Sequence, residues 1–302
     1  MNRSNRLNLF IAIVAISFAA LFFRKAETTH PLMAAALRLT IAAVLLWPFT
    51  GKAVRRMPKK CWQAAIVCGV FYAVHFGAWV WSLALTTVAA SVTLVTTTPI
   101  FLALVGLVTG RDKPNKGIWL SLALGCVGVA LIGLNGLSGI GHEWKGDLLA
   151  LVGCLGMAAY MLTVRRLGTF PLWPFITVAA TVGAILLVGT AIWLDVPLMP
   201  ENHVDFLWLS LAALVPQLIG HTALTRALRT ATPTAVGLAT IGEPVGATAV
   251  AWLWLAEVPS TIVLIGCTIT LMAVLFALNA SGPSSEETQM AAPPENRPKT
   301  ST

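Results

Sequence analysis

Two charged side chains lie deep inside long apolar runs. Glu243 precedes Pro244 within the run 235–255, and Arg38 lies within the run 32–50. A charge inside an apolar helix is costly, so each is a candidate site residue. Glu243 is expected to bind a substrate amine or carry a proton, or else to serve as a structural partner of freed backbone amides or of Arg38. For Arg38, a structural or coupling role is favoured over contact with a substrate anion, either by snorkelling outward or by anchoring a neighbouring helix.

Two histidines lie in long apolar runs of the two halves of the chain. His75 lies in the run 61–84 and His221 in the run 206–227, and the two residues are 146 positions apart. A histidine in such a run is commonly a structural hydrogen-bonding residue, whereas two at corresponding positions suggest substrate contact or a proton relay. Trp79 follows His75 by one helical turn and Gln217 precedes His221 by one turn, so each shares a face with its histidine. An aromatic wall beside a polar group suits a flat or zwitterionic metabolite.

Thr97 and Tyr160 complete the predicted substrate-binding set. The hydroxyl of Thr97, like those of its neighbours Thr96 and Thr98, either faces a cavity or bonds to the backbone of its own helix. The cysteines have neither metal-ligand nor redox spacing, and we interpret them as small buried apolar residues. No metal or cofactor is predicted. The cysteines are Cys61, Cys68, Cys126, Cys154 and Cys267.

The elements that position these residues are transmembrane helices. Of the 302 residues, 57% are hydrophobic and only 11% are charged, whereas a soluble domain carries about 25% charged residues. Lipid must therefore cover most of the surface, and a bilayer core needs roughly 20 apolar residues per helix. We expect an all-α integral membrane protein with ten spans, at 7–23, 32–50, 61–84, 91–109, 117–136, 147–164, 172–194, 206–227, 235–255 and 260–279.

The basic residues predict the orientation in the membrane. The net charge of +8 does not indicate nucleic-acid binding, because the basic residues form no basic face. They instead cluster at alternate connections, which predicts cytoplasmic N- and C-termini in the cytoplasmic (inner) membrane. Residues 280–302 are rich in Pro, Ser and Glu and are predicted to be a disordered cytoplasmic tail. The residues assigned to the cytoplasmic side are Arg3, Arg6, Lys52, Arg55, Arg56, Lys59, Lys60, Arg111, Lys113, Lys116, Arg165, Arg166, Arg226, Arg229, Arg297 and Lys299, against Arg24, Lys25 and Lys145 outside.

The chain contains an internal repeat. Pro99 and Pro244 are 145 residues apart, as are Pro114 and Pro259. We predict two five-helix repeats, at 1–140 and 141–279, followed by the tail. Because five is odd, the second repeat must enter the membrane with the opposite orientation. Inverted repeats are typical of secondary transporters.

Prolines inside spans four and nine have a further consequence. Pro99 and Pro244 each free a backbone carbonyl within a span, which is tolerated only beside protein or a wet cavity. We therefore expect both prolines to have structural or coupling roles near a cavity at mid-depth.

Longer stretches carry a family resemblance. The stretches ALTRALRTATPTAVGLATIGEPVGATAVAWLWLAEVPS (223–260) and SLALTTVAASVTLVTTTPIFLALVGLVTGRDKPN (82–115), together with the LRL around Arg38 and YMLTVRRL (160–167), resemble the EamA-type branch of the drug/metabolite transporter superfamily. The resemblance covers roughly 7–279. It implies a ten-helix bundle of two inverted repeats, a central cavity lined by spans 1, 3, 4, 6, 8 and 9, and export or uptake of small metabolites.

The expected function is therefore transport of a small amphiphilic metabolite, such as an amino acid, by alternating access. Export is the expected direction. No Walker-type sequence is present to bind ATP, so protons, exchange or the solute gradient would supply the energy. The alternative is a membrane-embedded enzyme or flippase for lipid-linked substrates. An enzyme would need paired acids or a His/Cys cluster, and the oligomeric state is left open.

The orientation is testable with reporter fusions. We expect green fluorescent protein fused after residue 280 to fluoresce in cells, because it folds in the cytoplasm. Alkaline phosphatase fused at the same place should be inactive, and active phosphatase there would contradict the orientation. A phosphatase fusion in the connection that contains Asn202 serves as the matched positive control.

Overall fold

A computed structural model describes residues 3–137, 144–255 and 258–280. The described residues form helices and short connections, without a strand. The predicted tail 280–302 lies outside the described residues, except for Ala280.

Among the described residues, ten helices are long and apolar enough to cross a membrane, which confirms the predicted number of spans. Most begin or end a few residues beyond the apolar runs, because the flanking polar and charged residues continue the helices. We number them α1–α10. Their helical segments are α1 (Arg3–Ile16 and Ala19–Lys25), α2 (Pro31–Arg55), α3 (Lys59–Leu85), α4 (Val88–Val95 and Thr98–Thr109), α5 (Lys116–Leu137), α6 (Trp144–Leu167), α7 (Leu172–Trp193), α8 (His203–Ala212, Ala213–His221 and Thr222–Ala227), α9 (Pro233–Thr240 and Glu243–Leu255) and α10 (Thr261–Ala280).

The helices form the predicted all-α fold of two inverted five-helix repeats, α1–α5 and α6–α10. Neighbouring helices pack most closely in the pairs α3 with α6, α5 with α10, and α2 with α7. The surface carries many exposed large apolar side chains, including Phe10, Phe49, Val108 and Leu253. In a soluble protein such a surface would be an aggregation hazard. In a ten-span bundle it is the lipid-facing surface.

α4 and α9 break at corresponding positions. The first segment of α4 ends at Val95 and the second begins at Thr98. The segments of α9 end at Thr240 and begin at Glu243, so both boundaries are offset by 145 residues. In each repeat the proline is the second residue of the new segment, where its missing N–H costs no hydrogen bond. The proline pair that indicated the repeat therefore marks a shared interruption.

Threonine hydroxyls bond to carbonyl groups at the α4 break. Thr98 Oγ1 donates to Val95 O at 2.8 Å. Pro99, four residues after Val95, has no N–H to donate, so the Thr98 hydroxyl takes the place of the missing backbone donor. Thr96 Oγ1 and Thr97 Oγ1 donate to Val92 O and Leu94 O, both at 2.7 Å, and these two carbonyl groups also accept from the backbone N–H groups of Thr96 and Thr97.

Two further spans are irregular. α1 is interrupted between Ile16 and Ala19 without a proline in its sequence. The middle of α8, Ala213–His221, is a π-helix that contains Pro216. π-Helical turns are rare and frequently occur at functional sites. α1, α4, α8 and α9 thus all depart from regular α-helix near mid-depth.

Close packing of α6 against α3 depends on glycine. A Cβ added to Gly156 would lie 2.9 Å from His75 N and 3.2 Å from His75 Cα, and one added to Gly153 would lie 3.2 Å from His75 O. These are backbone atoms that cannot move aside cheaply. The two glycines therefore set the distance between α3 and α6.

Gly156→Ala is expected to destabilise the protein by about 1–3 kcal/mol, because the new methyl group forces the α3–α6 interface apart. Gly189→Ala is the matched control. Nothing lies within 4 Å of a Cβ at Gly189, so this change should be neutral or stabilising by up to about 1 kcal/mol through helix propensity. Thermal unfolding in detergent measures both, and equal melting temperatures for the two variants would contradict the packing argument.

Candidate functional site

A small cavity lies where the irregular helices meet. Each repeat contributes three helices to its wall: α1, α3 and α4 from the first, and α6, α8 and α9 from the second. These are the six helices that the resemblance implied. The lining residues are Ile16, Ala19, His75, Trp79, Val95, Thr96, Met157, Met161, His221, Leu224, Thr240 and Glu243.

The ring of His75 is fixed by the α3–α6 contact. Its Nδ1 lies 2.8 Å from the carbonyl oxygen of Gly153. A carbonyl only accepts hydrogen bonds, so Nδ1 must carry the proton. In the neutral ring this leaves the lone pair on Nε2. The close approach of Gly153 thus makes the free ring nitrogen of His75 a hydrogen-bond acceptor.

The two histidines predicted as a pair lie in one aromatic cluster. The ring centroids of His75 and His221 are 6.2 Å apart. Phe76 contacts both rings, at 4.6 Å from His75 and 5.0 Å from His221. His221 is the last residue of the π-helical turn of α8. The arrangement brings an imidazole from each repeat to the same cavity.

Trp79 forms an aromatic part of the cavity wall. Its ring is nearly parallel to that of His75, with centroids 6.0 Å apart, and Phe23 packs against its edge at 5.9 Å. The indole Nε1 of Trp79 is buried and has no hydrogen-bond partner among the described residues. A polar solute group could accept from this donor.

Glu243 supplies the carboxylate of the cavity. It is the first residue of the second segment of α9, where free backbone N–H groups favour a negative charge. The Ser17 hydroxyl, at the break in α1, lies 3.4 Å from the Glu243 carbonyl oxygen. The interruptions of α1 and α9 therefore meet at Glu243, which lines the same cavity as the two histidines.

Three residues of the predicted binding set are placed behind the wall. Thr97 bonds to Leu94 O and lies 3.5 Å from Cys154 Sγ, and its neighbour Thr96 lines the cavity instead. Tyr160 is buried and its ring stacks on that of Tyr72. Its hydroxyl oxygen lies 2.6 Å from Thr225 Oγ1.

Gln217, the third of these residues, is fully buried. Neither its amide nitrogen nor its amide oxygen has a hydrogen-bond partner among the described residues. Gln217 and His221 belong to the same π-helical segment of α8, but only His221 lines the cavity.

The residues with predicted structural or coupling roles also lie outside the lining. Pro99 and Pro244 are the second residues of their helical segments. Leu102 and Pro99 pack closely on Gly237 of α9, where an added Cβ would lie 2.9 Å from Leu102 Cδ1 and 3.3 Å from Pro99 Cβ. Arg38 is fully buried, with its guanidinium carbon 4.2 Å from the centre of the Phe76 ring.

Sequence reasoning missed the apolar part of the site. Met157 and Met161 line the cavity from α6, one turn apart on one face. Their spacing from Gly153 and Gly156 is the signal that could have identified this face. A methionine wall adapts to solutes of different shape.

Contacts between the repeats lie at both ends of the bundle. At one end Asp112, which follows α4, forms an ion pair with Arg165 of α6 at 3.3 Å. At the opposite end Asp205 of α8 accepts hydrogen bonds from Thr28 and Thr29, with both hydroxyls at 2.7 Å. The cavity lies between two connections that join the repeats.

The family model of the EamA-like transporter family matches the chain twice, at residues 6–134 and 144–279. The chain belongs to the EamA-like transporter family. This EamA-like protein has one family unit in each repeat.

Two further comparisons agree. The chain is 26% identical over 193 residues to the "Uncharacterized transporter YdfC" of Bacillus subtilis (strain 168), an alignment that spans 63% of each chain and hence less than two-thirds of the relative. A solved structure titled "Crystal structure of protein" matches with a TM-score of 0.78 and 19% identity, covering 93% of this chain and 98% of that one. This structural similarity supports the fold of the EamA-like transporter.

Within the described ranges no group of three or more His, Cys, Asp or Glu side chains is arranged to hold a metal ion. The polar side chains that line the cavity are His75, Trp79, Thr96, His221, Thr240 and Glu243.

The proton position on His75 is testable. We expect the neutral His75 ring to be the Nδ1–H form, because Gly153 O can only accept. Nitrogen-15 chemical shifts of histidine-labelled protein distinguish the two tautomers, and a His75→Asn sample assigns the signal. An Nε2–H ring at His75 would contradict this assignment.

Proposed function

We propose that this EamA-like transporter moves a small amphiphilic metabolite, an amino acid or similar compound, across the cytoplasmic membrane by alternating access. The observation that carries the proposal is the cavity at the helix interruptions, whose lining includes one carboxylate, two imidazoles and an indole. We further propose that export is the direction, that both termini are cytoplasmic, and that the repeats are the units 1–140 and 141–279.

The side chains suit the two ends of such a solute. The Glu243 carboxylate accepts hydrogen bonds from an ammonium group, and a charge-assisted bond of this kind is about twice as strong as a neutral one. Trp79, Met157 and Met161 provide an apolar surface for a hydrocarbon or aromatic side chain. His75 Nε2 accepts a further hydrogen bond. Three features thus act on one small molecule: a carboxylate, an apolar surface and a hydrogen-bond acceptor.

The two inter-repeat connections support alternating access. Opening at one end requires separation of Asp112 from Arg165, and opening at the other requires separation of Asp205 from Thr28 and Thr29. Because the repeats are inverted, one change of packing can open one end while it closes the other. Protons, exchange or the solute gradient would drive the cycle, with Glu243 and the histidines as the candidate proton carriers.

Catalysis on a lipid-linked substrate is less well supported by the cavity. Such an enzyme would need paired acids or a nucleophile with an adjacent base. Among the residues that line the cavity, Glu243 is the one carboxylic acid, and neither serine nor cysteine is present.

The proposal is tested by counterflow of radiolabelled amino acids into liposomes that contain the purified protein. We expect Glu243→Gln and His221→Ala each to lower the initial rate by at least about tenfold, which corresponds to about 1.4 kcal/mol of lost solute or transition-state binding.

Matched controls separate a site effect from a general one. Glu201→Gln and His203→Ala change exposed residues at one end of the bundle and should keep the wild-type rate. Wild-type rates for both Glu243→Gln and His221→Ala would refute the site, and absence of counterflow by the wild-type protein with any amino acid would refute the solute class.

A further inference from the structure

Arg38 is a buried cation without a hydrogen-bond partner. Its side chain in α2 has no exposed surface, and Nε, Nη1 and Nη2 make no hydrogen bond among the described residues. Snorkelling to a membrane surface is the usual way to relieve such a charge, and complete burial rules it out here. The guanidinium instead packs on aromatic rings, with its central carbon 4.2 Å from the Phe76 centroid and 5.7 Å from that of Phe23.

The position of Arg38 is one aromatic layer behind the cavity wall. Phe76, on which it packs, contacts the rings of His75 and His221, and both rings line the cavity. Phe23, its second aromatic contact, packs on Trp79, another lining residue. Cation–π contact offsets part of the cost of burying the charge, but it does not neutralise it. The positive field of Arg38 therefore reaches the cavity.

Glu243 is the opposite charge. Glu243 lines the same cavity from α9, and its carboxylate and the Arg38 guanidinium are coupled electrostatically. They are not hydrogen-bonded to each other, since none of the three guanidinium nitrogens has a hydrogen-bond partner among the described residues. In a medium of low dielectric constant, charges that are not in contact still interact strongly. The two charges therefore balance each other without direct contact.

We propose that Arg38 and Glu243 together restrict the cavity to solutes of zero net charge that carry both an amine and an acid group. This inference rests on the proposed function and narrows its solute class to zwitterions. A monocation at Glu243 would leave the charge of Arg38 unbalanced, and a monoanion drawn towards Arg38 would leave Glu243 unbalanced. A zwitterion leaves the cavity neutral, with its ammonium group at Glu243 and its carboxylate in the positive field of Arg38. Arg38 is thus a specificity-determining residue that acts from outside the lining.

Three probes with one hydrocarbon skeleton test this inference. Leucine is the zwitterion, isopentylamine lacks its carboxylate, and 4-methylpentanoate lacks its ammonium group. Binding to the purified protein is measured as the concentration dependence of thermal stabilisation. For the wild-type protein we expect leucine to bind at least about tenfold more tightly than either monovalent probe.

The variants should change the order of the three binding affinities in opposite directions. Arg38→Met keeps the length of the side chain and removes the charge, so isopentylamine should gain at least about tenfold relative to leucine. Glu243→Gln should give 4-methylpentanoate the same relative gain. Arg38→Lys keeps the charge and should keep the wild-type order. An unchanged order in Arg38→Met, or a wild-type preference for either monovalent probe, would overturn the inference.

A ligand-free measurement separates this inference from the proposed function. If the two charges balance each other, the double variant Arg38→Met/Glu243→Gln should lose less thermal stability than the sum of the single losses. Additive losses would overturn the charge balance even if amino acids are transported. If no probe binds to the wild-type protein while the losses are non-additive, the amino-acid-like solute is refuted and the charge balance stands.

Discussion

The interior of a bilayer cannot hydrogen-bond to an open backbone group, and the site depends on how this chain meets that constraint. An unbroken helix satisfies it without help, whereas α4 and α9 are interrupted near mid-depth. Each interruption must bring its own donors and acceptors. In α4 these are the hydroxyls of Thr96, Thr97 and Thr98, which bond to carbonyl groups of the preceding turn. The interruption is thereby stable without water, and a cavity can form beside it.

The same interruptions give the cavity its polarity. A helix that restarts inside the bundle points free N–H groups towards the bundle centre, and this favours a carboxylate at its first turn. Glu243 occupies that position in α9, whereas Thr98 occupies it in α4. The two breaks therefore have the same backbone geometry, but α9 carries a carboxylate where α4 carries a hydroxyl. A cavity that is nearly symmetric in its helices is consequently asymmetric in its electrostatics.

The proline spacing predicted much of this architecture. Pro99 and Pro244 indicated both the repeat and the two broken spans, and the apolar runs gave the ten helices, because both features follow from local rules of length and backbone geometry. The break in α1 has no proline and no such signal. It takes its form from tertiary contact, since Ser17 packs against α9 beside Glu243. Sequence patterns do not record contacts of this kind.

Gln217 shows why it was harder to predict which side chains point towards the cavity. Its spacing of four from His221 places the two on one face of an α-helix, yet both belong to a π-helical turn with more residues per turn. The wider turn rotates Gln217 away from the cavity. For Tyr160 the reason differs. Helices of the interior are apolar on every side, so periodicity does not reveal which face meets the cavity and which meets another helix.

The two ends of the bundle should not open with equal ease. The Asp112–Arg165 pair retains exposed surface, 27% and 12% of the side chains, and a partly exposed ion pair contributes only about 0–1 kcal/mol. Asp205 is 2% exposed and accepts three hydrogen bonds from Thr28 and Thr29. Separation there would leave a buried carboxylate without its donors, which costs more. In the proposed alternating-access cycle, these unequal connections favour opening at the end that carries Asp112.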